Sequence, residues 1–176
     1  KNYIGTKVYT VLKNNSIGMI PQSIEIFLRR IFDDEYLTFN RIGASSPYRI
    51  LNCILKAFAL ENIELQHTDV YDINKIISQY SINIIKQENV GSNDNEILTK
   101  YNTFIDSKLF IKWIEKFFDV NIFILDNKSN FEIPQHEKFY IKQINPNKKS
   151  ILLYRVSDNY DLIYINNNGR YMYVLP

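Results

Sequence analysis

The sequence predicts an α+β fold, with helices first and a mostly antiparallel sheet built from the C-terminal part of the chain. Apolar residues recur at helical spacing in several segments before Asp119, and apolar runs of strand length follow it. Turn residues separate those runs. Helices followed by strands, without regular alternation of the two, indicate an α+β layer and not a doubly wound sheet.

The composition is typical of one globular domain. Of the 176 residues, 45% are hydrophobic and 23% are charged, close to the averages for soluble proteins. A formal net charge of +2 is small for a protein that binds nucleic acid, and Arg29, Arg30, Lys148 and Lys149 are only scattered candidates for that role. We therefore expect one domain over residues 1–176, and neither a nucleic-acid nor a membrane partner.

The cysteine and histidine content argues against a metal site. A single cysteine, Cys53, excludes an internal disulfide and a zinc site built on cysteines, while His67 and His136 lack the spacing of a metal pair. We expect no metal and no cofactor, and a reducing intracellular compartment. The chain begins at Lys1 without a Met or an apolar signal core, which predicts no secretion signal and suits a piece of a longer protein.

The N-terminal half is predicted to contain one short strand, over Lys7 to Leu12, and then helices. The first helix begins near Pro21, a residue favoured in the first helical turn. The next is predicted from Ser46-Pro47, as N-cap and first turn, and is almost wholly apolar from Ile50 to Leu60, so it should lie at the centre of the core. The residues expected to form the buried stripe of the first helix are Ile24, Phe27, Leu28 and Ile31.

The C-terminal half is predicted to end in strands. Asp69 should cap a third helix through Ile85, and Asp106 should cap a strongly amphipathic one. Asn166-Asn167-Asn168-Gly169 should form a hairpin turn, because Asn and Gly tolerate positive φ. The predicted strands are Val120 to Leu125, Phe139 to Ile144, Ser150 to Val156, Tyr160 to Ile165 and Tyr171 to Leu175.

Two segments resemble the catalytic motifs of a protease family. The first, from Gly43 to Leu60, reads GASSPYRILNCILKAFAL, and the second, from Tyr154 to Ile165, reads YRVSDNYDLIYI. With the order of elements, they resemble the ovarian-tumour (OTU) family of cysteine proteases, most of which remove ubiquitin. In that family an Asp-Gly-Asn-Cys turn leads into a buried helix, and a His-Tyr-Asp strand follows a hydrophobic strand. The resemblance is strongest over residues 43–165 and implies a papain-like, OTU-like fold.

The first motif can be aligned in two registers. One places Asn52-Cys53 on the family's Asn-Cys and keeps Cys53 as the nucleophile. The other places Ser46 to Arg49 on the Asp-Gly-Asn-Cys turn, so that Arg49 occupies the nucleophile position. The second register is favoured, because a reactive cysteine needs the first turn of its helix, where unpaired N–H groups and the helix dipole stabilise a thiolate. Cys53 lies deeper in the helix and is expected to be a buried apolar residue.

The second motif lacks the base. Asn159 occupies the position that the resemblance assigns to the catalytic histidine, and asparagine cannot accept and return a proton. Asp161 matches the residue two positions further on, from which some family members orient the base. His136 is expected in a loop before the last strands, and it could serve Cys53 only as a displaced base.

Two hypotheses of function follow from the resemblance. The favoured one is a catalytically inactive OTU-like domain that acts as a protein-binding or structural module, whose partner is ubiquitin or the rest of a larger chain. It predicts that Arg49 and Asn159 lie close together. The alternative is an active OTU-type cysteine protease or deubiquitinase that uses Cys53, with His136 as base.

A weaker resemblance concerns the origin of the chain. OTU-like segments inside large proteins of nucleocytoplasmic DNA viruses carry a Ser-Pro-Asn-Ser-Phe-Leu-His type motif, which corresponds to Ser46 to Asn52 of this chain. The chain is also rich in Ile, Asn, Lys and Tyr, whose codons are AT-rich. The chain is therefore expected to be part of a large DNA-virus protein. Its expected location is the host cytoplasm or the virion.

Overall fold

A computed structural model of the chain describes residues 3–4, 10–46, 48–61, 74–79, 108–126, 131–132, 147–156 and 159–176. In these ranges helices and strands are mixed along the chain, and residues 74–79 form a further short helical segment. The elements are β1 (Tyr3–Ile4), β2 (Ile17–Met19), α1 (Gln22–Ile31), β3 (Thr38–Ile42), α2 (Arg49–Leu60), α3 (Lys108–Phe118), β4 (Val120–Asp126), β5 (Phe131–Glu132), β6 (Lys149–Val156), β7 (Asn159–Asn167) and β8 (Arg170–Met172).

The described strands form one mixed sheet in the order β1-β2-β3-β7-β6-β4-β5, and β8 pairs with β7. The pairs β1–β2 and β4–β6 are parallel, and the remaining described pairs are antiparallel. The α+β class is therefore confirmed. The expected order of helices first is not found, because β1, β2 and β3 come from the N-terminal part of the chain and β3 pairs with β7 at the centre of the sheet.

Helices cover both faces of this sheet. One hydrophobic cluster joins α2, α3 and residues 74–79 to one face, and a second joins α1 to the other. Neighbouring residues of β7 belong to different clusters, since Leu162 packs in the first and Ile163 in the second. This alternation is what a strand buried on both faces requires.

Helix α1 begins at Gln22, directly after Pro21, as predicted. Its buried stripe is narrower than expected. Ile24 and Leu28 are buried, whereas Phe27 is 39% and Ile31 is 54% exposed. Only the stripe around Ile24 and Leu28 is turned fully toward the sheet, and Ile31 is the last residue of the helix, where coverage by the sheet ends.

Helix α2 begins at Arg49, later than the predicted start at Ser46-Pro47. Its N-cap is Tyr48, whose φ of 64° lies in the left-handed region, and no side chain caps the helix. Ser46 as the N-cap is therefore wrong. The expected central position of this helix is confirmed by its buried residues, which are Arg49, Ile50, Leu51, Cys53, Ile54, Leu55, Ala57 and Phe58.

The C-terminal strands follow the predictions closely. Strands β4, β6 and β7 match three predicted strands to within two residues at each end, while β8 ends at Met172 and is shorter than expected. Asn168 and Gly169 both have positive φ, 51° and 87°, so the predicted hairpin turn is confirmed.

The remaining predictions concern one strand near the N-terminus, one strand near residue 140 and two helix caps. The short strand predicted over Lys7 to Leu12 is not found in its described part, since Thr10 to Leu12 are not in a strand. The predicted strand Phe139 to Ile144 and the caps Asp69 and Asp106 lie outside the described residues. Among the helices that the structure describes, none has the length and apolar character needed to cross a membrane.

Candidate functional site

The first residue of α2 meets the beginning of β7. Arg49 is only 6% exposed. Its Nε donates a hydrogen bond to the main-chain oxygen of Tyr160 at 3.0 Å, and its Nη2 donates to Oδ1 of Asp161 at 2.6 Å. The two segments that resemble protease motifs therefore lie in direct contact.

A second arginine binds the same carboxylate. Nη1 of Arg41, which lies in β3, is 2.5 Å from Oδ2 of Asp161, and both residues have 0% exposure. The Arg41 guanidinium carbon also lies 5.1 Å from the ring centroid of Tyr154, a favourable cation–π distance. Asp161 thus bridges two buried guanidinium groups, and we call Arg41, Arg49 and Asp161 the charge cluster.

The charge cluster also binds residues 10–13, which we call the N-terminal strap. Nη1 of Arg41 donates to the main-chain oxygen of Thr10 at 2.7 Å. The Leu12 N–H donates to Oδ2 of Asp161 at 3.3 Å, and Nη2 of Arg49 donates to the Leu12 main-chain oxygen at 3.0 Å. The cluster therefore joins β3, α2 and β7 to the strap.

The electrostatics of the cluster are set by its burial. Burial raises the pKa of the Asp161 carboxyl, while the positive charges of Arg41 and Arg49 and the Leu12 N–H oppose that rise. Within the charge cluster, two guanidinium groups face one carboxylate. Main-chain oxygens also accept from the arginines, since Arg41 Nε donates to the Met19 oxygen at 2.8 Å.

Cys53 lies one turn further along α2 and is fully buried, with 0% exposure. Its predicted burial is confirmed. Its Sγ lies 3.7 Å from the Tyr160 main-chain oxygen, the same oxygen that accepts from Arg49. A thiol in this setting is a weak hydrogen-bond donor inside the apolar cluster and cannot meet a substrate without local opening of the fold.

Asn159 is the first residue of β7 and pairs with Val156 of β6. Arg49 contacts the main chain of Tyr160 and the side chain of Asp161, which are the next two residues along β7. Contact between Arg49 and Asn159 themselves stays a prediction. His67 and His136 both lie outside the described residues.

Arg41 and Lys56 were not predicted as site residues. Nζ of Lys56 donates to Oδ1 of Asn14, Oδ1 of Asn15 and the Gly43 main-chain oxygen at 2.7, 2.5 and 2.8 Å. It ties the turn after the strap to α2. In the sequence, each of these residues is a single basic residue in an otherwise apolar segment. Its role depends on partners that only the fold brings close to it.

Among the residues that the structure describes, no three His, Cys, Asp or Glu side chains are grouped so that they could hold a metal ion. No family model matches the chain, and a search of the curated proteins found no match either. The interpretation of the site therefore depends on its geometry.

Proposed function

We propose that the chain is a catalytically inactive, papain-like OTU-like domain that acts as a protein-binding or structural module. The observation that carries the proposal is the environment of Arg49. It occupies the position that the resemblance assigns to the nucleophile, and its guanidinium is engaged by Asp161 and by the Tyr160 main-chain oxygen.

The chemistry of these side chains supports inactivity. A guanidinium stays protonated in proteins and offers no lone pair for attack on a carbonyl carbon. Asp161, which the resemblance relates to the residue that orients the base, instead accepts hydrogen bonds from two arginines. Cys53, the alternative nucleophile, is fully buried on the second turn of α2.

The partner is proposed from the resemblance. In an OTU-like domain that has lost catalytic activity, the surface that binds ubiquitin can be retained as a binding surface. The rest of a larger chain is the other candidate partner. From the viral resemblance we propose a reducing location for the protein, either the host cytoplasm or the virion.

The first test is labelling of the folded protein with a ubiquitin-derived electrophilic probe. We expect no adduct by mass spectrometry. A small thiol reagent should modify Cys53 in denaturant and leave it unmodified over the same time in native buffer. Labelling of the native protein that disappears in Cys53→Ala would overturn the proposal in favour of an active cysteine protease.

The second test concerns the partner. Titration of the ¹⁵N-labelled protein with ubiquitin, followed by NMR, should shift a contiguous set of surface amides if ubiquitin binding is retained. Unchanged spectra would exclude ubiquitin and leave the rest of the larger chain as the proposed partner.

A further inference from the structure

The charge cluster contacts the N-terminal strap through the main chain of the strap. Its hydrogen bonds to Thr10 and Leu12 use the Thr10 oxygen, the Leu12 N–H and the Leu12 oxygen. All three groups face the guanidinium groups and the carboxylate of the cluster, which therefore bind the main chain of the strap.

One side chain of the strap enters the core. Leu12 is buried, while Thr10 and Lys13 are exposed and Val11 is half-buried. Main-chain hydrogen bonds combined with the burial of one side chain are a recurring pattern in the recognition of peptides. Such recognition depends little on the identity of the exposed residues.

We infer that the charge cluster is a binding site for the main chain of a peptide segment with an aliphatic side chain, and that the N-terminal strap occupies this site in cis. The inference goes beyond the proposed function, because it holds whether or not the domain is catalytically inactive. The strap is followed by the exposed residues Asn14 and Asn15 and by the buried Ser16 before β2 begins at Ile17, so it is joined to the sheet through a turn.

The experiment starts from the full chain and cuts it after the N-terminal strap, so that the strap becomes a separate peptide that can leave and be replaced. A protease recognition sequence is inserted between the exposed residues Asn14 and Asn15. Because the Asn15 N–H donates to the Gly43 oxygen and Lys56 contacts both side chains, circular dichroism and urea denaturation first check that the uncleaved variant folds. After cleavage, an excess of a fluorescent synthetic peptide of residues 1–14 is added, and its binding is followed by fluorescence anisotropy. We expect the labelled peptide to replace the cleaved fragment and the unlabelled peptide to compete with it.

Matched peptides test which groups are recognised. N-methylation of Leu12 removes the donor to Asp161 and should weaken binding by about tenfold or more, since hydrogen bonds to charged groups contribute this much. N-methylation of Lys13, whose N–H is not among the contacts with the cluster, is the control and should change binding little. A Leu12→Asp peptide should not bind, whereas Lys13→Asp should.

Three results would overturn the inference. They are equal weakening by both N-methylations, a folded cleaved protein whose fragment never exchanges, and unfolding whenever the fragment leaves. Hydrogen exchange on the uncleaved chain gives an independent measurement, because opening of the strap should expose the Leu12 amide while the Ile163 amide in β7 stays protected. The inference would also be overturned if the Leu12 and Ile163 amides both exchanged only when the whole protein unfolds. None of these results depends on labelling of Cys53, so the proposed function and this inference fail separately.

Discussion

Asp161 is the residue at which the N-terminal strap, α2 and β3 meet β7. One of its oxygens accepts from Arg49, and the other accepts from Arg41 and from the Leu12 N–H. Arg41 lies in β3 and Arg49 lies in α2, so each arginine connects its own element to β7. Removal of the negative charge therefore affects long-range contacts between segments that are far apart in the sequence.

Asp161→Asn should be strongly destabilising. The amide would remove the carboxylate that Arg41 and Arg49 both contact in the interior, and breaking a buried ion pair on one side typically costs about 3–5 kcal/mol of the free energy of unfolding. Urea denaturation followed by circular dichroism measures the loss. The control is Glu25→Gln, which removes the more exposed i,i+4 pair with Arg29 and should cost about 0.5 kcal/mol. Similar losses for the two variants would contradict this account.

Gly43→Ala should also destabilise the fold, for a steric reason. A Cβ at Gly43 would lie 2.0 Å from the main-chain oxygen of Lys13, at the end of the strap. That neighbour is main chain and is held by the hydrogen bond that Ser16 N–H donates to it at 3.0 Å. We expect a loss of about 1–3 kcal/mol in the free energy of unfolding, as for overpacking.

The control for Gly43→Ala is Ser46→Ala in the same loop. Ser46 is exposed and does not cap α2, so its loss should change stability by less than about 0.5 kcal/mol. Thermal and urea denaturation of both variants give the comparison. A loss of about 1 kcal/mol in Ser46→Ala, the usual cost of removing an N-cap, would show that Ser46 caps the helix after all.

At the scale of the element, α3 carries a buried carboxyl group that should make stability depend on pH. Glu115 is 4% exposed, and its Oε1 has no hydrogen-bond partner among the described residues. Burial raises its pKa to about 8, against the opposing effects of the Ile122 N–H and the Lys148 charge. The folded state therefore keeps a proton that the unfolded chain releases near its ordinary value of 4.5.

The sign of the effect follows from the proton count. Between pH 4.5 and about 8 the folded state binds more protons than the unfolded state, so this group lowers stability as pH rises, by up to about 1.4 kcal/mol per pH unit. Glu115→Gln should remove this slope. Urea denaturation of the two proteins across that range should give free energies of unfolding whose difference grows with pH and levels off above about 8. If the free energies of the two proteins change in parallel with pH, Glu115 does not titrate as a buried acid.

The same scale shows which elements a sequence can predict. Strands β4, β6 and β7 are long apolar runs bounded by turn residues, so local pattern was sufficient to find them. Strands β2 and β3 are short and were not predicted. Strand β3 has the sequence TFNRI and places Arg41 in the interior, where Asp161 on the neighbouring strand supplies an opposite charge.

For the whole molecule, coverage of the sheet on both faces predicts one cooperative unit. Leu162→Ala and Ile163→Ala should each cost about 2–5 kcal/mol, although the two side chains belong to different clusters. Both variants should unfold in a single transition with unchanged dependence on urea. Asn167→Ala, at the exposed end of β7, is the control and should change stability by less than about 0.5 kcal/mol. Two separate transitions in either core variant would show that the faces unfold independently.

The site was only partly predictable. The apolar character of α2 was enough to predict that Cys53 is buried, because a helix with so few polar residues must be covered on most sides. The importance of Arg49 came from the resemblance, and its partner Asp161 was assigned a different role. Arg41 and the N-terminal strap were not identified, since their contacts with Asp161 cross more than a hundred residues.

By itself, the sequence determined the α+β class, the central buried helix, the C-terminal strands and their hairpin, since each of these depends on periodicity and turn chemistry within a short segment. Only the tertiary structure decided how the N-terminal strands enter the sheet and which charges meet inside it. The physical reason is that a buried charge requires a partner, and Asp161 finds both of its arginines on other elements of the fold.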